Sequence, residues 1–233
     1  MMRTVRRACL LPAVGVLALV LAACQGPGAA PAGGPASGVP SPESSAPTSE
    51  QVQTAEPATP APPSLAAEEQ AQLDQQLIAA AKANNAPLVA ELIGRGGSVN
   101  AKDPIQDSAF LYAGAEGFNE VLRLTLAAGA EVTSINRYGG TALIPASEHG
   151  HVETVKILVA AGVPVNHVNN LGWTAMQEAI LLNDGGPRQQ EVVRLLLEAG
   201  ADPDIRDPQG RTALQNAERL GFSGIAAIIR ARG

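Results

Sequence analysis

Arg137-Tyr138-Gly139-Gly140-Thr141-Ala142-Leu143-Ile144-Pro145-Ala146 decides how this chain folds, because its pattern returns 33 positions later as Asn170-Leu171-Gly172-Trp173-Thr174-Ala175-Met176. One spacing earlier stands Ser108-Ala109-Phe110-Leu111, and Thr212-Ala213-Leu214 opens a later copy. Behind each lies a second match: Leu126-Ala127-Ala128-Gly129-Ala130, Val159-Ala160-Ala161-Gly162-Val163 and Leu197-Glu198-Ala199-Gly200-Ala201. Leu92-Ile93-Gly94-Arg95-Gly96-Gly97 is the earliest version, following a first helix expected at about Leu73 to Asn84. Self-similarity at a period of this length signals an array of stacked units.

The repeated residues have physical roles that need no function. Ser108, Thr141, Thr174 and Thr212 stand where a side-chain oxygen can cap the free amides of a short first helix. Ala113, Ala146, Ala179 and Ala217 fall inside that helix, where small side chains allow close packing between units. Leu124, Val155, Leu158, Val193, Leu196 and Leu197 mark the expected buried face of a second helix. Gly96, Gly129, Gly162 and Gly200 suit the left-handed stop that ends it. Asp103, Asn136, Asn169 and Asp207 open each turn, where short polar side chains bond nearby amides.

The pattern of Gly, Thr, an apolar helix, a Gly-His turn, a Leu-Leu pair and Gly-Ala resembles the ankyrin repeat family from about Leu73 to the C-terminus. Within that family it is most similar to bacterial exported ankyrin proteins, on the strength of residues 137–146 and Gly172-Trp173-Thr174. The resemblance implies an all-α solenoid of helix-turn-helix units joined by hairpin-like turns. Five units are expected, at about 73–102, 103–134, 135–168, 169–206 and 207–233, within a repeat domain spanning 66–233. Glu68, Glu69, Gln70, Gln72 and Gln75 form a solvated start, and Arg230 and Arg232 follow the last apolar pair. The family's Pro is replaced by Ala109, Ala142, Ala175 and Ala213, and its His by Leu111, Ile144, Gln177 and Gln215. Those departures put the hydrogen-bond ladder associated with that His in doubt. Pro145 is tolerable only in the first turn of its helix. The fourth unit is five residues longer, and Asn183-Asp184-Gly185-Gly186-Pro187 is read as a loop between its helices.

The N-terminal part has a different composition. Arg3, Arg6 and Arg7 precede an apolar run from Ala8 to Ala23, the form of a signal peptide and short for a membrane span. Arg6-Arg7 is taken as ordinary signal charge, since Ala8-Cys9-Leu10 fits a twin-arginine motif poorly. Leu21-Ala22-Ala23-Cys24 resembles the lipobox of bacterial lipoproteins, which implies cleavage after residue 23 and a lipidated Cys24. The chain is then expected to be exported and held at the outer face of a bacterial membrane, or in the periplasm if the envelope has two membranes. From Gln25 to Ser64 there are ten prolines, no Lys or Arg, and no Leu, Ile or aromatic residue. Such a stretch cannot bury a core, and 24–65 is read as a disordered tether. A glycosylated stalk or a cell-wall contact is compatible with the same composition.

The whole chain of 233 residues holds 16 Lys and Arg against 22 Asp and Glu, a formal charge of −6. Loss of Arg3, Arg6 and Arg7 with the signal would leave 13 basic residues, so nucleic acid is an unsuitable partner. Cys9 and Cys24 are the only cysteines. With one removed and one lipidated, no thiol remains for disulfides, nucleophilic catalysis or metal.

His149, His151 and His167 invite a metal reading, but His151 holds the family's Gly-His turn and no metal site is expected. Ser147, Glu148 and His149 are adjacent along a helix, so they face different directions and form no triad. Asp184-Gly185-Gly186 lacks the alternating carboxylates of a calcium loop. No cofactor and no catalysis are expected. Tyr138 and Trp173 fall on turns between units, where ankyrin proteins commonly meet partners, with Arg137, Asn170 and Arg211 at comparable places. Large rings there serve either a partner or the packing of neighbouring turns. The function that unites these features is a membrane-tethered, monomeric protein-interaction module for a partner in the cell envelope. A sensor of a small molecule or wall polymer is the alternative.

Overall fold

Every unit after the first opens with a side chain that closes a turn on itself. In the computed structural model, which describes residues 66–232, Asp103 Oδ1 accepts the N–H of Ile105 at 3.0 Å and of Asp107 at 2.9 Å. Asn136 accepts from Tyr138 and Gly140, Asn169 from Leu171 and Trp173, and Asp207 from Gln209 and Arg211, in the same register. Each of the four also donates its own N–H to the carbonyl four residues on, at 2.9–3.0 Å. The closure is that of a hairpin, yet no strand occurs among the described residues.

Ten helices among the described residues form five antiparallel pairs. The first helices are α1 (Ala67–Lys82), α3 (Ala109–Glu116), α5 (Leu143–Glu148), α7 (Ala175–Leu181) and α9 (Ala213–Arg219). Their partners are α2 (Ala86–Gly94), α4 (Asn119–Ala127), α6 (Val152–Ala160), α8 (Pro187–Glu198) and α10 (Ser223–Arg230). First helices stack on first helices and second on second, so the chain is an all-α solenoid. None of these helices is long and apolar enough to cross a membrane.

The first layer packs closely because its facing residues are small. Ala113, Ala146, Ala179 and Ala217 are fully buried, and a Cβ added at Gly114 would lie 2.8 Å from that of Ala142. Phe110, Leu143 and Met176, at one repeat position, fill the space beneath. Burying a side chain of that size contributes about 1.5–3 kcal/mol. Fixed polar ties then join neighbouring turns. Asn100 Nδ2 donates to the Gly129 carbonyl while its Oδ1 accepts from the Glu131 amide, and Asn166 bonds Gly200 and Asp202 in the same way.

The structure departs from the sequence expectations at four places. Helix α1 begins at Ala67 rather than near Leu73: the Ala, Glu and Gln residues there favour helix, and Glu69 Oε2 accepts the Ala66 N–H. Asn84 lies outside it, at φ 51°. In α4 the buried face is Val121, Leu122 and Thr125, with Leu124 only half-buried. Leu122 and Thr125 are the repeat equivalents of Val155 and Leu158, and Thr125 is tolerated because its hydroxyl donates to the Leu122 carbonyl at 2.9 Å. Pro187 is the first residue of α8, where its missing N–H has no helical partner to lose. The rest of the insert is a loop fastened to its neighbours: Asn183 Nδ2 donates to the Glu148 carbonyl at 2.7 Å, and the Phe222 ring packs on Gly185.

Thr141 is the fourth departure. Ser108, Thr174 and Thr212 accept the amides of Leu111, Gln177 and Gln215 as expected. The Thr141 hydroxyl is buried with no partner, and the Ile144 amide bonds the Thr141 carbonyl instead. Pro145 causes this: with no N–H of its own to take that carbonyl, the first turn tightens and α5 starts late. Accordingly, Ser108→Ala, Thr174→Ala and Thr212→Ala should each cost about 1 kcal/mol in urea unfolding, whereas Thr141→Ala should stay within about 0.5 kcal/mol.

Candidate functional site

Between the turns and the first helices of the second, third and fourth units lies a cavity of about 390 Å³. Its edge is the turn Asn136–Gly140, its floor is α3, α5 and α7, and its far side is Leu171 and Leu182. Leu111, Tyr112, Ile144 and Pro145 make most of the floor apolar. The turn is held open at this edge by Gly139 at φ 70°, where a Cβ would collide with the Asn170 side chain at 2.3 Å. Asn170 N–H donates to the Tyr138 carbonyl and ties the edge to the next unit, while within the unit a His167 Nε2 contact of 2.6 Å reaches the Gly139 carbonyl.

The structure brings two of the five sequence-predicted contact residues into this cavity. Tyr138 is 55% exposed on the rim, and the Arg137 guanidinium lies over its ring at 4.8 Å while meeting Asp107 at 3.3 Å. Asn170 is exposed just behind the rim. Trp173 does not line the cavity; it is half-buried, and its indole N–H is enclosed without a hydrogen-bond partner. Arg211 belongs to the following turn, 3.9 Å from Asp207, and also lies outside the lining. Cys24 lies outside the described residues.

Sequence reasoning missed the most unusual group here, Glu178. It is only 6% exposed, at the repeat position held by Tyr112, Pro145 and Asn216. Asn169 Nδ2 donates to its Oε1 at 2.6 Å, mirroring the bond from Asn216 to Asp207 one unit later. Burial, and then the negative charge of Glu148, push its carboxyl up to about 7, against the opposing pull of Asn169 and His149. The available signal was an acid set within Ala175-Met176-Gln177-Glu178-Ala179-Ile180.

Asp103 and Asp207 serve the turns they open. Although burial opposes it, hydrogen bonding from Asn216 and the turn amides holds the Asp207 carboxyl below its ordinary range. Burial likewise opposes ionisation of Asp103, but the hydrogen bond from Lys82 outweighs it. A 2.8 Å contact joins His149 Nδ1 to the Ala115 carbonyl, and the His149 ring meets His151 edge-on with centroids 5.4 Å apart. Burial, followed by the charge of His149, lowers the His151 pKa. Ser147 is buried and its hydroxyl has no partner, so it is not activated by a neighbouring base. Among the described residues no three His, Cys, Asp or Glu are grouped to hold a metal ion.

A helix-pair solenoid whose Asx-closed turns overhang a concave floor defines the class, and sequence comparison agrees. The profile described as Ankyrin repeats (3 copies) matches residues 77–169 and 110–207, more than half of the chain. The chain belongs to the ankyrin repeat family. It is 41% identical over 146 residues to the ankyrin repeat protein YahD of Escherichia coli (strain K12), covering 62% of this chain and 73% of that one. Among solved structures, an ankyrin repeat domain from Acinetobacter baumannii AYE is 55% identical with a TM-score of 0.66, covering 67% of this chain and 80% of its own. The ankyrin repeat protein EF0377 is 40% identical with a TM-score of 0.64, covering 66% and 78%.

The buried carboxyl of Glu178 ties stability to pH. The folded state keeps a proton that the unfolded chain releases near 4.5, so the stabilisation is complete below that pH and is lost as pH rises through about 7. In urea unfolding across this range, the wild type should lose about 3 kcal/mol relative to Glu178→Gln, and the difference should level off above about pH 8.

Proposed function

We propose that this protein is a non-catalytic interaction module, tethered through a lipidated Cys24 to the outer face of a bacterial membrane and binding a protein partner of the cell envelope. The observation that carries the binding part is the cavity spanning three units, with exposed Tyr138 and Arg137 on its rim. A partner seated there meets side chains from three turns and three helices at once, which suits recognition of an extended polypeptide surface. Membership of a repeat family that generally mediates protein contacts supports the same reading. The tether and anchor rest on residues 1–65, through the lipobox-like Leu21-Ala22-Ala23-Cys24 and the Pro-rich composition that follows.

A second reading, a binder of a small molecule or a wall polymer, draws on the cavity volume of about 390 Å³. That volume falls within the usual range of ligand pockets, about 300–1,000 Å³.

Two experiments test the proposal. Cys24→Ser should abolish palmitate labelling and release the protein from the membrane fraction; a mutant labelled at wild-type level would refute the anchor. Photo-crosslinking in the native envelope from a probe at position 138 should capture a protein. Tyr138→Ala should weaken that partner's binding about tenfold with little change in melting temperature, whereas Trp173→Ala should lower stability by about 3 kcal/mol. Capture of glycan alone would favour the second reading.

A further inference from the structure

The charges inside the cavity are unevenly matched. Its one guanidinium, Arg137, is already engaged by Asp107 and stacked on Tyr138. The carboxylate of Glu148, from α5, has no ion-pair or hydrogen-bond partner among the described residues, although the Glu148 backbone carbonyl accepts from Asn183. Glu178, from α7, spends one carboxyl oxygen on Asn169. Its other oxygen has no hydrogen-bond partner among the described residues, although the side chain is more than nine-tenths buried and lines the cavity. The apolar surroundings of that carboxyl raise the cost of its charge, which a proton or a neighbouring cation offsets.

We propose that this cavity seats a basic side chain of the partner polypeptide, its cationic head meeting Glu178 and Glu148 and its aliphatic stem lying against Leu111, Ile144 and Leu182. The inference deepens the interaction-module reading and rests on it. Charge complementarity selects the occupant: an acidic side chain would be repelled and a neutral one would leave the carboxylate charge uncompensated in a partly desolvated site, whereas a guanidinium offers charge and donors to two carboxylates at once. The apolar walls suit the methylene stem that long basic side chains lay along hydrophobic surface. Recognition of this kind adds a residue-level requirement to a groove whose shape alone would accept many chains.

Binding then carries a proton signature. A cation next to Glu178 favours its ionised form, so a site that holds a proton near neutrality must release it on occupation. The groups facing Glu178 are Glu148, His149 and Asn169, with Glu116 and Tyr112 across the cavity on α3.

The test uses the folded protein and two blocked tripeptides, leucine-arginine-leucine and its neutral counterpart with citrulline in place of arginine. Carboxyl carbon NMR should show the Glu178 titration moving below its free midpoint of about 7 as the arginine peptide is added. The citrulline peptide should bind about tenfold more weakly. Affinity for the arginine peptide should rise from pH 6 to pH 8, and Glu178→Gln should abolish that rise and reduce the preference for charge. The amide oxygen of this variant can still accept from Asn169, and Glu148→Gln provides an independent check by weakening the arginine peptide several-fold. Equal binding of the two peptides, no titration shift up to about 10 mM arginine peptide, or an unchanged Glu178→Gln would each overturn the proposal. Any of these results combined with successful crosslinking from position 138 would remove the basic-side-chain seat and leave the interaction-module reading standing.

Discussion

One short side chain, repeated four times, sets the geometry of this protein. Asp103, Asn136, Asn169 and Asp207 each accept two amides of their own turn and close it with a backbone bond. A loop that satisfies its amides internally needs neither water nor a neighbouring strand to hold its shape. The turns can therefore project beyond the helices as defined walls, and the cavity exists because they overhang the first-helix layer. Close stacking of that layer follows from Ala113, Ala146, Ala179, Ala217 and Gly114, which keep one turn within hydrogen-bonding reach of the next.

The fold was legible in the sequence because every repeated residue has one local duty. Helix caps, small packing positions, left-handed glycines and turn-opening Asx residues each recur at a fixed interval, so four copies overrule ambiguity in any one. What escaped the reading were places where a unit departs from its siblings. Thr141 carries the same residue as its capping equivalents, but Pro145 four positions on withdraws the backbone donor that sets helical register there. Leu124 reads as core by hydropathy, yet repeat alignment gives Leu122 and Thr125 that place. Periodicity detects shared residues and is blind to such exceptions.

The candidate site was less legible for the same reason. Tyr138 and Arg137 were visible as large residues on a turn, and both line the cavity. Trp173 was equally visible, but most of its surface is taken up by packing, a property of three-dimensional context alone. Glu178 has no counterpart at its repeat position, where Tyr112, Pro145 and Asn216 stand. Its meaning comes from burial and from Glu148 on a helix one unit away, so no linear pattern announces it. In a repeat protein the shared residues build the frame, and the unshared ones distinguish one cavity from another.

The central claim is that the Asx-closed turns are rigid walls of a preformed groove, and native-state amide hydrogen exchange tests it most directly. The amides of Tyr138, Gly140, Leu171 and Trp173, each bonded to the Asx side chain of its own turn, should exchange at least about 100-fold more slowly than in an unstructured peptide. Exchange of these four amides at the unstructured rate, while the buried amides of α3 and α7 remain protected, would mean that the turns are open in solution and would contradict the account.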